Sequence, residues 1–504
     1  MNRRVLWSLV ALAWGVIALG AQTEVPAPGG SNGAVETETV SDGSLTLSQS
    51  LARALEGSPS LAAYAWDIRA AEARTLQAGL RPNPELSLEI EGIRWRGGPS
   101  ETVRTTTLGV GVQDMGLAPL YEVAHEVEEG AGSGFSEAEY TLLLSQLVEL
   151  GGKRAKRTRL AERDVEATRW DYEVARADVL TDVARAFAET VAAQLRTALS
   201  EELVRVAEEV RRTTEAQVTA GRVSPLEERK ARVEAIVAGS ERQRAIRELE
   251  ATRSRLASTW GATDPDFAEV AGDFGEVSPI PALSELRARA AGNPDVARWT
   301  SELERRTAAH RLERARRIPD VTVGLGLKAE AQRGRSARSY SFGVEGIAYS
   351  RTENEPSRQW DTSIVLEFSL PLPIFDGNQG NIREAQYLVE KTADERRAAE
   401  VNVDAALAEW HHLTVAALEE AKALGEEAFP EAARTFDLTQ EGFRQGKFEY
   451  LDVLDAQRTL FDLRIRLVDA QLAYHLGRAE IERLIGAVGT EDAALKHYTK
   501  GTDE

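Results

Sequence analysis

Gly57-Ser58-Pro59, an amphipathic run, Arg81-Pro82-Asn83-Pro84 and the alternating Leu86, Leu88 and Ile90 are followed 235 positions later by a second version. It reads Gly292-Asn293-Pro294, another amphipathic run, Arg316-Arg317-Ile318-Pro319 and Val321, Val323, Leu325. Further along the offset becomes 225: Gly152 matches Gly377, Gly221-Arg222-Val223-Ser224-Pro225-Leu226-Glu227 matches Gly446-Lys447-Phe448-Glu449-Tyr450-Leu451-Asp452, and Gly261 matches Gly486. The repeated unit reads helix, strand, loop, strand and a very long helix pair. A constant offset over such runs means that both repeats span the same distance, and it places the length difference between the two strands of each repeat.

The strands follow from period-two alternation. Leu86, Leu88 and Ile90 alternate with Ser87, Glu89 and Glu91, which gives one apolar and one polar face. The Pro82 and Pro84 signals stop the helix that begins at Ser58-Pro59, because proline cannot continue a helix. The expected strands are 85–94, 140–150, 320–329 and 362–372, with loop-rich excursions at 97–138 and 332–359. One further strand is expected at 105–113, and both excursions, near Gly132 and Arg335, are expected to face the cell exterior.

From Lys153 to Ala220 there is neither proline nor glycine, so a helix about 100 Å long is expected at ~1.5 Å per residue. Leu180, Ala184, Phe187, Val191, Leu195, Leu199, Leu203, Val206 and Val210 recur at spacings of three and four along it, the pattern of a packing seam. Gly221 breaks it, Ser224-Pro225 reads as an N-cap with proline at the first helical position, and a returning helix occupies 226–260. The second repeat predicts helices at 379–445, interrupted at Pro430, and at 450–485. A short helix is expected at 45–54.

Acidic residues outnumber basic ones, 81 to 61, for a net charge of -20, which argues against nucleic acid as a partner and suits a wall that attracts cations. No cysteine is present, so disulfides, thiolate metal sites and N-terminal lipidation are excluded. Arg3, Arg4 and the apolar run from Val5 to Leu19 read as a secretory signal cleaved after Ala21. The expected organisation is a signal at 1–21, a flexible tether at 22–44, a first repeat at 45–261, a linker at 262–281, a second repeat at 282–486 and a tail at 487–504. No catalytic constellation or phosphate loop occurs, so no enzyme and no cofactor are expected. His411-His412 makes no metal site, since neighbours on a helix point about 100° apart.

Four strands separated by such helices cannot close a barrel, and an open sheet leaves hydrogen-bonding edges. Several chains together could. In lipid only helices or closed barrels satisfy the backbone, and alternating strands of about ten residues suit a transmembrane barrel. The expected class is mainly α with a membrane β-barrel part.

The Gly446 to Gln457 stretch with Leu451-Asp452-Val453-Leu454-Asp455-Ala456-Gln457, the turn Pro371-Leu372-Pro373-Ile374-Phe375-Asp376-Gly377-Asn378, and Glu149-Leu150-Gly151-Gly152-Lys153-Arg154 together resemble the TolC family of outer membrane factors over residues 45–486. The Arg81-Pro82-Asn83-Pro84-Glu85-Leu86 and Glu149 to Arg154 pieces most resemble its CzcC-like branch, which serves heavy-metal efflux pumps. The resemblance implies a homotrimer with a twelve-stranded barrel in the outer membrane, continued by an α-helical barrel across the periplasm. It also implies two partners, a periplasmic adaptor and an inner-membrane pump of the RND type. It places acidic entrance positions on Asp452 and Asp455, with Glu227 and Lys230 as their counterparts. It places adaptor-docking tips on Gly221, Arg222, Val223 and Ser224 and on Gly446, Lys447, Phe448 and Glu449. Drugs or secreted polypeptides remain open as alternative cargo, and a periplasmic coiled-coil scaffold remains as a rival class.

Overall fold

The computed structural model describes residues 44–93, 102–113, 116–126, 138–272, 274–333, 337–343, 346–348 and 358–487; for 102–126, 331–348 and 358–359 the description is of the backbone. The expected signal, most of the tether, nearly all of the tail, and both Gly132 and Arg335 lie outside the described residues.

In chain order, strand β1 (Ser44–Thr46) leads into α1 (Leu47–Gly57) and α2 (Pro59–Gly79), then β2 (Glu85–Glu91), β3 (Thr102–Gln113), β4 (Gly116–Glu126) and β5 (Glu139–Val148). The long pair α3 (Lys153–Thr219) and α4 (Pro225–Ser258) closes the first repeat, and β6 (Glu269–Ala271) lies in the linker. The second repeat runs through α5 (Leu283–Arg289), α6 (Pro294–Arg316), β7 (Val321–Arg333), β8 (Ala337–Gly343), β9 (Gly346–Ala348) and β10 (Arg358–Ser369). It ends with α7 (Gln379–Lys422), a π-helical turn over Ala423–Ala428, α8 (Phe429–Arg444) and α9 (Tyr450–Leu484). No described helix is long and apolar enough to cross a membrane.

Helix starts follow local chemistry. Thr46 and Gln49 form a capping box, with Gln49 N donating to Thr46 Oγ1 at 3.3 Å and Thr46 N donating to Gln49 Oε1 at 3.1 Å. This corrects the expected start: Ser44 and Leu45 belong to β1, and the helix begins at Leu47. Asn293 caps α6 by accepting from Asp295 N at 2.8 Å and Val296 N at 3.2 Å, with Pro294 at the first helical position.

The two repeats pack alike. A side chain on Gly261 would clash with Pro59, and one on Gly486 would crowd Gly292 O and touch Pro294, so each long helix pair returns beneath the proline that starts its own repeat. Both glycines have positive φ, +82° and +70°, a conformation that side chains resist.

The offset along the return strands is 226 rather than 225. Ser87 faces Leu143 in the first repeat; Thr322 faces Ser369 in the second, 235 and 226 positions on. The left-handed caps of the long helices agree, Gly152 matching Asn378 rather than Gly377. Buried Leu407, Ala417 and Leu418 keep the 226 offset from buried Thr181, Val191 and Ala192, and the tips Gly221 and Gly446 return to 225. The one-residue slip therefore lies between Leu407 and Gly446, a stretch that is one residue shorter than its counterpart in the first repeat.

Of the expected seam, Leu180, Phe187, Val191 and Val210 are buried, Ala184, Leu199, Leu203 and Val206 half-buried, and Leu195 exposed. Leu180, Phe187 and Val191 join Leu45, Leu51, Leu256, Val270 and Phe274 in one core cluster. This cluster explains β1 and β6: they pair as a two-stranded sheet inside it, a long-range contact that no periodicity reveals.

The excursions also differ from their expected loops. The strand expected at 105–113 is β3, and it forms a hairpin with β4; β4 then pairs with β8, so the two repeats contribute to a second four-stranded sheet in the order β3-β4-β8-β9.

Candidate functional site

The first sheet has the order β10-β7-β5-β2, antiparallel throughout. Its register aligns Leu86, Leu144, Leu325 and Leu366 in one row, and Leu88, Leu142, Leu327 and Ile364 in the next. The two rows form an apolar face that stands bare: Leu86, Leu88, Leu144, Leu325, Leu327, Ile364, Leu366 and Phe368 are all exposed. Tyr140 and Trp360 lie toward the far end of the same face with ring centroids 6.2 Å apart, and amphipathic aromatic rings are favoured at membrane–water boundaries.

The opposite face carries Ser87, Glu89, Thr141, Ser145, Lys328, Ser363 and Glu367, with Lys328 paired to Glu139. Gly324 and Gly326 also lie on it, where a Cβ on Gly326 would come within 2.6 Å of Leu142 O. A sheet apolar on its free face and mainly polar on the other, where Leu143 and Val365 are interruptions, is the reverse of a water-soluble sandwich, and it fits a wall between lipid and water.

At the far ends of the helices the two hairpins use one solution. Gly221 N donates to Val218 O at 2.9 Å and Arg222 N to Gln217 O at 2.9 Å; Gly446 N donates to Phe443 O at 2.9 Å and Lys447 N to Gly442 O at 2.8 Å. Both glycines hold positive φ, +76° and +73°. The restart differs. Ser224 Oγ accepts from Leu226 N at 3.2 Å, whereas Glu449 N donates to Asp452 Oδ2 at 2.9 Å.

Asp452 is thus a capping group, and both it and Asp455 are exposed. Glu227 is held differently, with its carboxylate 3.1 Å from Lys230 Nζ. Phe448 leaves its turn to lie over Gly442, where any side chain would displace the ring; Arg222, Lys447 and Glu449 are exposed and Val223 is half-buried. The tips are joined by an apolar cluster of Val210, Ala231, Phe436, Phe443, Tyr450, Val453 and Leu460, and by an Arg444–Glu209 ion pair at 2.6 Å. Burial, with Glu234 and Glu227 nearby, pushes the Tyr450 hydroxyl up to about 12. Neither the cap role of Asp452 nor the seat of Phe448 could be read from spacing.

His411 Nε2 lies 3.2 Å from Pro281 O, tying the long helix to the linker. Among the described residues no group of three or more His, Asp or Glu side chains is arranged to hold a metal ion.

A bare apolar sheet face continuous with helices about 100 Å long at ~1.5 Å per residue fits a channel protein of the outer membrane that extends into the periplasm. The chain belongs to the outer membrane efflux protein family, whose profile matches residues 50–262 and 286–487. It is similar to the cobalt-zinc-cadmium resistance protein CzcC of Cupriavidus metallidurans, with 30% identity across 88% of this chain and 90% of that protein. It is also similar to the pyoverdine export outer membrane protein OpmQ of Pseudomonas putida, at 23% across 89% and 87%. Among solved structures, the channel CusC superposes with a TM-score of 0.61 at 17% identity, covering 87% of this chain and 91% of that one. The outer-membrane channel OprN gives 0.62 at 18%, covering 88% and 90%. These structures speak for the fold.

Proposed function

We propose that three copies of this chain close a twelve-stranded barrel in the outer membrane, continuous with a helical tunnel. In this reading the assembly is the passive exit duct of a tripartite efflux system for heavy-metal cations. The observation that carries the reading is the open sheet: among the described residues β2 and β10 are both unpaired edges, and a bare apolar face between two open edges is stable in lipid only when the ring closes. Strand directions alternate along β2-β5-β7-β10, so the β2 edge of a neighbouring chain meets β10 antiparallel, as closure requires.

The cargo class rests on the end-to-end similarity to a cobalt-zinc-cadmium resistance protein and is supported by the net charge of -20. Asp452, Asp455 and Glu227 would face the periplasmic entrance. The turns Gly221 to Ser224 and Gly446 to Glu449 would dock a periplasmic adaptor, itself coupled to an inner-membrane pump of the RND type. The chain performs no catalysis. Similarity to a pyoverdine export protein favours a second cargo class, small organic molecules.

The test is deletion of this chain in its host, followed by growth on cobalt, zinc and cadmium and on a panel of organic toxicants. Sensitivity to the metals, restored by the chain, is expected. Sensitivity confined to organic compounds would replace the cargo, and a monomeric, water-soluble mature protein would overturn the duct itself.

A further inference from the structure

The four segments that carry the chain between the first sheet and the long helices are basic in an acidic protein. Residues 78–84, 149–159, 313–320 and 376–383 hold ten Lys or Arg against four Asp or Glu, whereas the whole chain has a net charge of -20. Three of those acids are already taken. Glu149 pairs with Arg157 at 2.6 Å, Glu313 with Arg316 at 2.6 Å and Asp320 with Lys153 at 2.7 Å. Arg154, Arg314 and Arg317 are exposed, and no ion pair of theirs is found among the described residues.

The opposite end of the same sheet carries the other sign. There Asp361 faces Glu330 and Glu91 faces Glu139, with Lys328 the cation beside them. The excess of arginine therefore belongs to the helix end of the sheet alone. Apolar side chains share that band: Leu80, Leu150, Ile318, Leu372 and Ile374 are exposed just beyond the strand ends. Cations interleaved with apolar residues at the border of a lipid-facing surface match a headgroup layer, where long stems lie along acyl chains and charged heads reach outward.

We propose that this band is a collar for the anionic phospholipid surface of the periplasmic leaflet, with Arg154, Arg314 and Arg317 taking the phosphate groups. A guanidinium suits the task, because its planar fork meets two phosphate oxygens at once. Arg154 follows β5, and Arg314 and Arg317 precede β7, the two inner strands of the sheet. Closing a ring at the outer edges would leave all three uncovered. Nor does their charge continue the polar face, whose last row at this end holds Glu85 and Glu367. A wall that passes cations is acidic there, and the arginines serve its outer side.

The proposal rests on the barrel reading, and the test separates the two. The detergent-purified parent trimer, offered fluorescent phosphatidylglycerol or fluorescent phosphatidylcholine in micelles, is expected to prefer the anionic lipid. Arg154→Gln, Arg314→Gln and Arg317→Gln together should weaken that preference roughly 100-fold at low salt, about fivefold for each charge. Arg154→Lys, Arg314→Lys and Arg317→Lys together should keep most of it, and about 1 M salt, with a screening length of ~3 Å, should remove it. In planar bilayers the triple Gln variant is expected to select cations over anions as the parent does. A parent trimer that binds both lipids equally, or a triple Gln variant with the parent's preference, would overturn the collar. Altered ion selectivity with lipid preference intact would place the arginines in the lumen and also overturn it. A parent that is monomeric and water-soluble would instead overturn the barrel reading itself.

Discussion

Asp452 shows how one carboxylate can serve two ends. Its Oδ2 accepts the Glu449 amide at the start of α9, which an acid does well at the positive end of a helix. The remaining lone pairs face solvent. Asp455, one turn on, is exposed, and no ion pair of either residue is found among the described residues, whereas Glu227 is matched by Lys230. Negative charge at the tips is therefore concentrated on the second repeat. Replacing Asp452 and Asp455 together by Asn is expected to lower cation over anion selectivity in planar bilayers, with assembly intact, because in the proposed entrance like charges crowded together draw cations. Unchanged selectivity would leave both as solvated acids. Tyr450 provides a second test. Its hydroxyl titrates above the usual tyrosine range, near 10, because its ionised form is disfavoured in the folded cluster. The resulting stability is complete below about pH 10 and is lost as pH rises toward 12. Amide exchange at the tips should accelerate in that window for the parent and less for Tyr450→Phe.

At the scale of elements, the sheet makes the sharpest demand on its residues. Leu325 sits in the bare apolar row and Ser363 on the polar face. Leu325→Arg is expected to cost up to about 2–4 kcal/mol if the row lies near the bilayer midplane, read as loss of heat-resistant assembly, while Ser363→Arg leaves assembly intact. Equal effects would mean that the faces are assigned wrongly. The leading strands β2 and β7 were legible from alternation and the return strands β5 and β10 from the repeat layout, as was α3 from the lack of proline and glycine between Lys153 and Ala220. The π-turn was not, because Pro430 announces an interruption without its form. The β3-β4-β8-β9 sheet was largely hidden, because its register depends on two excursions more than 200 residues apart meeting. The turns Gly221 and Gly446 were legible because only a positive φ closes such a hairpin, but the burial of Tyr450 and the seating of Phe448 over Gly442 depend on neighbours distant in sequence.

Over the whole molecule, α3 and the α7–α8 run are two rods clamped at the same places, by the tip cluster at one end and the sheet junction at the other. They are not equally stiff. The first is continuous over 67 residues. The second is interrupted at Ala423–Ala428, where Phe429 N donates to Leu424 O five residues back and Pro430 can donate to nothing. When parallel beams of unequal compliance share a load, deflection concentrates in the weaker section. Any bending or twisting of the long helices should therefore be taken up in the second repeat, at this one turn, while the first repeat keeps its line. Hydrogen exchange should be faster over Ala423–Ala428 than over the equivalent turn from Thr197 to Glu202, and matching rates would make the two rods mechanically alike.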